Sequence, residues 1–234
     1  MPAPQVLLTK ESIVLVEHLE KVVPTLRQLC LGFIEANETP EFLAIVNLME
    51  RACRLVPHEP HSGPHGINQG IIFNTGVVHT LFDVAQKGMG SGSQSAEVLR
   101  GVYTCLHALC VQYAPAQQMV FDAMDIWLDA RNLRVPGYQD ELAGMVAEVF
   151  TNNHKLCLAV HVSHVQGIMR MLSTCTTRAP NVLVALRAVL KVRYRGKGSP
   201  SVWMGRRGRG VGARDCCFYA AACLPCDTLA LAAC

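Results

Sequence analysis

Four groups of residues have the types and spacing to carry chemistry. Cys157 with His161 and His164 could form a thiol nucleophile with an imidazole base. His58, His61 and His65 lie three and four residues apart, as metal ligands often do. Cys223-Leu224-Pro225-Cys226, preceded by Cys216-Cys217, has the two-residue gap of a zinc or redox pair. Arg193, Arg195, Lys197, Arg206, Arg207, Arg209 and Arg214 would neutralise phosphates, with Tyr194 and Trp203 available to stack on bases.

None of the four is complete. Thiol catalysis needs an orienting group and an oxyanion site beside the base, and no third member stands near Cys157. The three histidines sit in Pro57-His58-Glu59-Pro60-His61-Ser62-Gly63-Pro64-His65-Gly66, where prolines and glycines preclude a rigid frame. The second cysteine pair lacks the intervening ribbon of a structural zinc site, because Phe218 to Ala222 is apolar and short. Glycine-arginine composition without a folded module is a weak sign of nucleic-acid binding. The sequence therefore predicts no catalytic, cofactor-binding or metal-binding residue.

Charge divides the chain. Residues 1–192 hold 14 basic and 16 acidic side chains, a net of −2, while 193–234 hold 7 and 2, a net of +5. The formal +3 thus belongs to the tail. Eleven cysteines in 234 residues could suggest a disulfide framework, but Cys30, Cys53, Cys105, Cys110, Cys157 and Cys175 are widely spaced on apolar helical faces. They read as small buried hydrophobes in a reducing compartment. Met1 to Lys10 lacks the basic start and apolar stretch of a secretory signal. The most apolar run, Cys216 to Cys226, is shorter than the roughly 18 residues a membrane span needs.

The elements that must position these residues are helical. Apolar residues recur at three- and four-residue spacing up to residue 192, with no competing period of two. The stretch 11–35 carries Ile13, Val16, Leu19, Val23, Leu26, Cys30 and Phe33. An interior proline costs about 3 kcal/mol, so Pro24 is expected to split it into two helices. Thr39-Pro40-Glu41 predicts a capped start for the next helix, ending before Pro57. Further helices are expected over 68–86, 96–113, 116–129, 138–152, 161–173 and 180–192, with Gly88 to Ser95 as a flexible link.

Helices of this length must stack to bury their faces, as in an armadillo- or HEAT-type solenoid, although no clean internal repeat is present. A helical bundle would show nearly the same pattern. The expected fold is all-α: N-terminal helices over 1–56, a Pro/His/Gly loop over 57–67, a helical domain over 68–192, and a disordered basic, cysteine-rich tail over 193–234.

The block Phe150-Thr151-Asn152-Asn153-His154-Lys155-Leu156-Cys157 stands in order with other landmarks. Asn68-Gln69, then Val77, Val78, Leu81 and Val84, then Leu106, Ala108, Leu109 and Cys110, then Gln117-Gln118 precede it. Val160, Val165 and Ile168 follow, then Leu183, Leu186, Val189, Leu190 and Val192. This series resembles the helical homology domain shared by inositol trisphosphate receptors and ryanodine receptors over about 68–192. The likeness is greatest to the inositol trisphosphate receptor copy that lies after the ligand-binding region.

The resemblance implies an α-solenoid piece of a tetrameric calcium-release channel, on the cytoplasmic face of the endoplasmic reticulum or another calcium store. Its partners would be the channel's other cytoplasmic domains, and its work mechanical, without catalysis or cofactor. Phe150, Asn152, Asn153, Leu156, Cys157, Cys110 and Gln118 would be the structural motif residues. Asparagine tolerates the left-handed conformation, so Asn152 and Asn153 are expected to end a helix and satisfy its last carbonyls. The family's ligand site combines a β-trefoil with a basic cluster. Here there is no trefoil and the basic residues of 68–192 are scattered, so direct ligand binding is not expected.

The family pattern would continue past Val192 with polar helices, and this chain departs from it there. A non-native continuation, such as translated intron, is the expectation for 193–234. Two alternatives remain at this level: a free-standing helical adaptor, and a metal- or nucleic-acid-binding protein acting through the tail.

Overall fold

The computed structural model describes residues 9–32, 34–56, 63–88, 94–134, 137–174, 183, 186, 187 and 189. Eleven α-helices are formed among them: α1 (Lys10–Leu29), α2 (Thr39–Ala52), α3 (Gly66–Asn74), α4 (Val77–Gly88), α5 (Gln94–Cys110), α6 (Ala114–Asp122), α7 (Met124–Trp127), α8 (Ala130–Arg134), α9 (Gln139–Phe150), α10 (His154–Ala159) and α11 (Val162–Thr174). The described residues contain no strand, only an isolated antiparallel bridge between Arg54 and Pro64. The fold is all-α, as expected.

Helix α5 is the centre because its apolar stripe is too wide for one neighbour. Val98, Leu99, Val102, Tyr103, Cys105, Leu106, Leu109 and Cys110 are all buried. Such a surface is covered by several helices at once, here α2, α4, α6 and α9. Helix α1 packs on α2, α3 and α4. The helices before the proline-rich loop therefore share a core with those after it. Trp127 fixes the far side: fully buried, it meets Phe82 and Tyr103 edge-to-face at 4.8 and 6.1 Å and donates from Nε1 to the Val120 carbonyl at 2.9 Å.

Pro24 does not split α1, which runs unbroken for 20 residues. The proline and Glu20, whose carbonyl loses its partner, both face solvent, so water can replace the missing bond. Leu15, Leu19, Val23 and Leu26 hold both halves on one core. The buried face also differs from the expected one: Ile13 is exposed and Ser12 is fully buried.

The hydroxyl of Thr39 is no cap either. It lies inside α2 and donates to the Glu35 carbonyl at 3.0 Å. The predicted helix over 68–86 is two helices, separated at Gly76, whose φ of +72° favours a residue without Cβ. The stretch 116–129 is likewise divided at Ala123. Of the helix expected over 180–192, residues 183, 186, 187 and 189 are described and helical. Phe33, His58, His61, Cys175, Leu190, Val192 and the whole tail 193–234 lie outside the described residues.

Candidate functional site

The motif block forms the turn from α9 into α10. Helix α9 ends at Phe150 because Thr151 is extended and Asn152 follows with φ +56°, the left-handed conformation that asparagine accepts more readily than most residues. Asn153 then starts the next helix. Its side-chain oxygen accepts from the Leu156 backbone N–H at 3.2 Å, an N-cap bond. Phe150, Leu156 and Cys157 are buried beneath the turn, with Phe121 edge-on against Phe150 at 6.1 Å.

Besides local bonds from the Thr151 and Asn153 backbone to the Glu148 and Phe150 carbonyls, the end of α9 is held from another helix. Gln117, buried on α6, donates from Nε2 to the carbonyls of Glu148 at 3.0 Å and Thr151 at 3.1 Å. Its own oxygen accepts from Asn153 Nδ2 at 2.8 Å. Asparagine was expected to close α9; in fact glutamine closes it and asparagine caps α10. Gln118, the neighbour named from the sequence, is half-exposed and donates to Asp122 on its own helix at 2.8 Å.

The same device recurs at other buried helix ends. Gln69 on α3 donates to the carbonyls of Ala108 and Val111, both at 2.9 Å, at the end of α5. Asn68 beside it donates to Ala52, the last residue of α2, at 2.9 Å, and accepts from the buried Ser12 hydroxyl at 2.8 Å. Asn132 donates to Trp127, the last residue of α7, at 3.0 Å, and accepts from Tyr103 at 2.8 Å. A buried carbonyl without a partner costs about 1–3 kcal/mol, so each carboxamide removes a penalty that close packing would otherwise impose. Asn68-Gln69 stood out in the sequence, but Asn132 did not. Its only signal is a polar residue directly before a core leucine, Leu133.

The thiol arrangement is a packing arrangement. Cys157 is buried and donates to the Phe150 carbonyl at 3.5 Å, and burial raises its pKa. His154 and His161 are exposed. His161 pairs ring to ring with His164 at 5.6 Å, and His164 faces Asp125 and Phe121. Cys53, Cys105 and Cys110 are close enough to influence one another, and burial pushes each thiol far above its ordinary value. All five described cysteines are free thiols.

At the ends of α2, α5 and α9 a charged group lies over these cysteines. Glu50 pairs with Arg54, and His107 Nε2 stands 4.0 Å from Glu148. Burial raises the pKa of Glu148, while its bonds to the Gln112 backbone and the Thr151 side chain oppose the shift. Burial, then the Arg54 charge, lowers that of His107. His65 caps α3 by accepting from the Asn68 backbone at 3.3 Å. No group of three or more histidine, cysteine or carboxylate side chains among the described residues is placed to hold a metal ion. None of the described helices is long and apolar enough to cross a membrane.

The candidate site is therefore a seam of carboxamides that sets the angles between helices. Compared with family models, curated proteins and solved structures, the chain matches none.

Proposed function

We propose that the chain is a helical lever similar to the regulatory helical domain of an inositol trisphosphate-gated calcium-release channel, with helices stacked as an armadillo-like solenoid. Its work is mechanical. Ligand binding elsewhere shifts a population of states, and packed helices carry the shift as units. Such a lever needs helix ends whose angles do not relax under load, and the bond from Asn153 to Gln117 is the observation that carries this reading. It joins the cap of α10 to the closure of α9, so the two helices cannot turn independently. The motif residues Phe150, Leu156 and Cys157 pack under that turn, and Cys110 lies in the core of α5.

On this reading the partners are other cytoplasmic domains of a tetrameric channel at the surface of the endoplasmic reticulum or another calcium store. The chain itself performs no catalysis and needs no cofactor. Long-read transcript sequencing across the locus tests the proposal. A message encoding a β-trefoil upstream and pore-forming spans downstream is the expected result; a message confined to this chain would overturn it.

A second reading, a free-standing helical adaptor, draws on one observation. Leu158, Val162 and Met169 on α10 and α11 are apolar and about half-exposed, and exposed apolar strips often meet another protein. The confined message would favour this adaptor.

A further inference from the structure

His164 is the buried titratable group that the seam does not use. It sits on α11, 8% exposed; α11 packs on α8, and His164 reaches from it to α6 and α7. Its Nε2 lies 3.6 Å from Asp125 Oδ1 on α7, and its ring meets Phe121 of α6 edge-on at 5.5 Å. Its Nδ1 is buried and has no hydrogen-bond partner among the described residues. A neutral imidazole tolerates that position, because one nitrogen is then a bare acceptor. A protonated imidazole does not, because both nitrogens become donors and one N–H is buried without an acceptor.

The surroundings offer little compensation. Asp125, the one carboxylate paired with the ring, has a side chain that is 89% exposed, so water screens it. His161, from the turn before α11, lies ring to ring at 5.6 Å and disfavours a charge on His164. Asp122 of α6 is engaged by Gln118, and on the α8 side Asp129 and Arg131 are bonded to each other.

We propose that His164 is a proton-operated catch: neutral, it lets α11 dock on α8 and against α6 and α7; protonated, it releases α11 and uncovers the apolar residues beneath, Val165, Ile168 and Met171. The device is independent of the channel reading. Burial lowers the pKa of His164, Asp125 opposes the shift and His161 adds to it. The folded value thus lies below the unfolded value of about 6.5. Docking is fully stabilised above the unfolded value and is lost as pH falls through the folded one.

Hydrogen exchange on the full chain between pH 7.5 and 5.0, corrected for intrinsic rates, tests the catch, with α5 amides as the internal reference. Protection of α11 should fall relative to α5 as pH drops, by at most about tenfold per pH unit, since one proton is linked. His164→Phe should keep α11 protected throughout, and Asp125→Asn should deepen the loss at acid pH, because the carboxylate that partly compensates the imidazolium is gone. Parallel behaviour of α11 and α5, or an unchanged pH response in His164→Phe, would overturn the proposal. If that variant does not fold, an NMR titration of wild-type His164 decides: a value below that of free histidine supports the catch, and one at or above it overturns it.

Discussion

Asn153 Nδ2 lies 2.8 Å from Gln117 Oε1, so a bond between two neutral carboxamides ties the start of α10 to the side chain that closes α9. Gln117→Ala takes from the Thr151 carbonyl its side-chain donor and from the Glu148 carbonyl one of two donors, and should cost about 1–3 kcal/mol. Asn153→Ala loses a cap and the tie, at about 0.5–2 kcal/mol. Because the two share a bond, the double variant should lose less than the sum of the singles. Urea denaturation of the four proteins checks this, and strict additivity would mean that the tie contributes nothing.

Two glycines at close helix crossings should respond differently to alanine. A Cβ at Gly167 would stand 2.8 Å from Leu128 Cβ, which no side-chain rotation can move. Gly167→Ala is therefore expected to destabilise by about 1–3 kcal/mol. At Gly101 the nearest atom is the tip of the half-buried Leu43, at 2.7 Å, which can rotate away. Helix propensity favours alanine by about 1 kcal/mol, so Gly101→Ala should be close to neutral. Melting curves of both variants would refute this account if Gly101→Ala proved the more harmful.

Pro24 sits in an exposed turn of α1 with no N–H to give. Pro24→Ala restores the bond to Glu20 and should stabilise by about 1–3 kcal/mol. An unchanged or lower denaturation midpoint would show that the proline is matched to the helix's curvature.

Thiol reactivity follows from burial. Desolvation pushes Cys30 up to about 11 and likewise raises the thiols of Cys53, Cys105 and Cys110 well above their ordinary value, so almost no thiolate exists near neutral pH. Cys157 is shifted the same way. Alkylation mapped by mass spectrometry at pH 7.5 should leave all five unlabelled in the native protein and label them in denaturant. Rapid native labelling of Cys157 would revive the nucleophile that its surroundings argue against.

Much of this architecture was legible in the residues. The three- and four-residue apolar spacing determines the helices of the described residues, because only a helix brings those positions onto one face. The order of Leu106, Leu109 and Cys110, then Phe150, Leu156 and Cys157, marks which faces are buried. The asparagine pair marks a helix end, because its local chemistry suits one.

What the sequence could not assign was the partner of each polar residue. Gln117 and Gln118 are chemically identical, and only the rotation of α6 against α9 decides which reaches the free carbonyls. Pro24 looks like a break until the fold places it on the solvent side, where its lost bond is replaceable. Asn132 and His164 are polar side chains that only the packing of distant helices buries. Periodicity is a local property, written in spacing along the chain, whereas hydrogen bonding across a core depends on helix positions that segments distant in sequence set together.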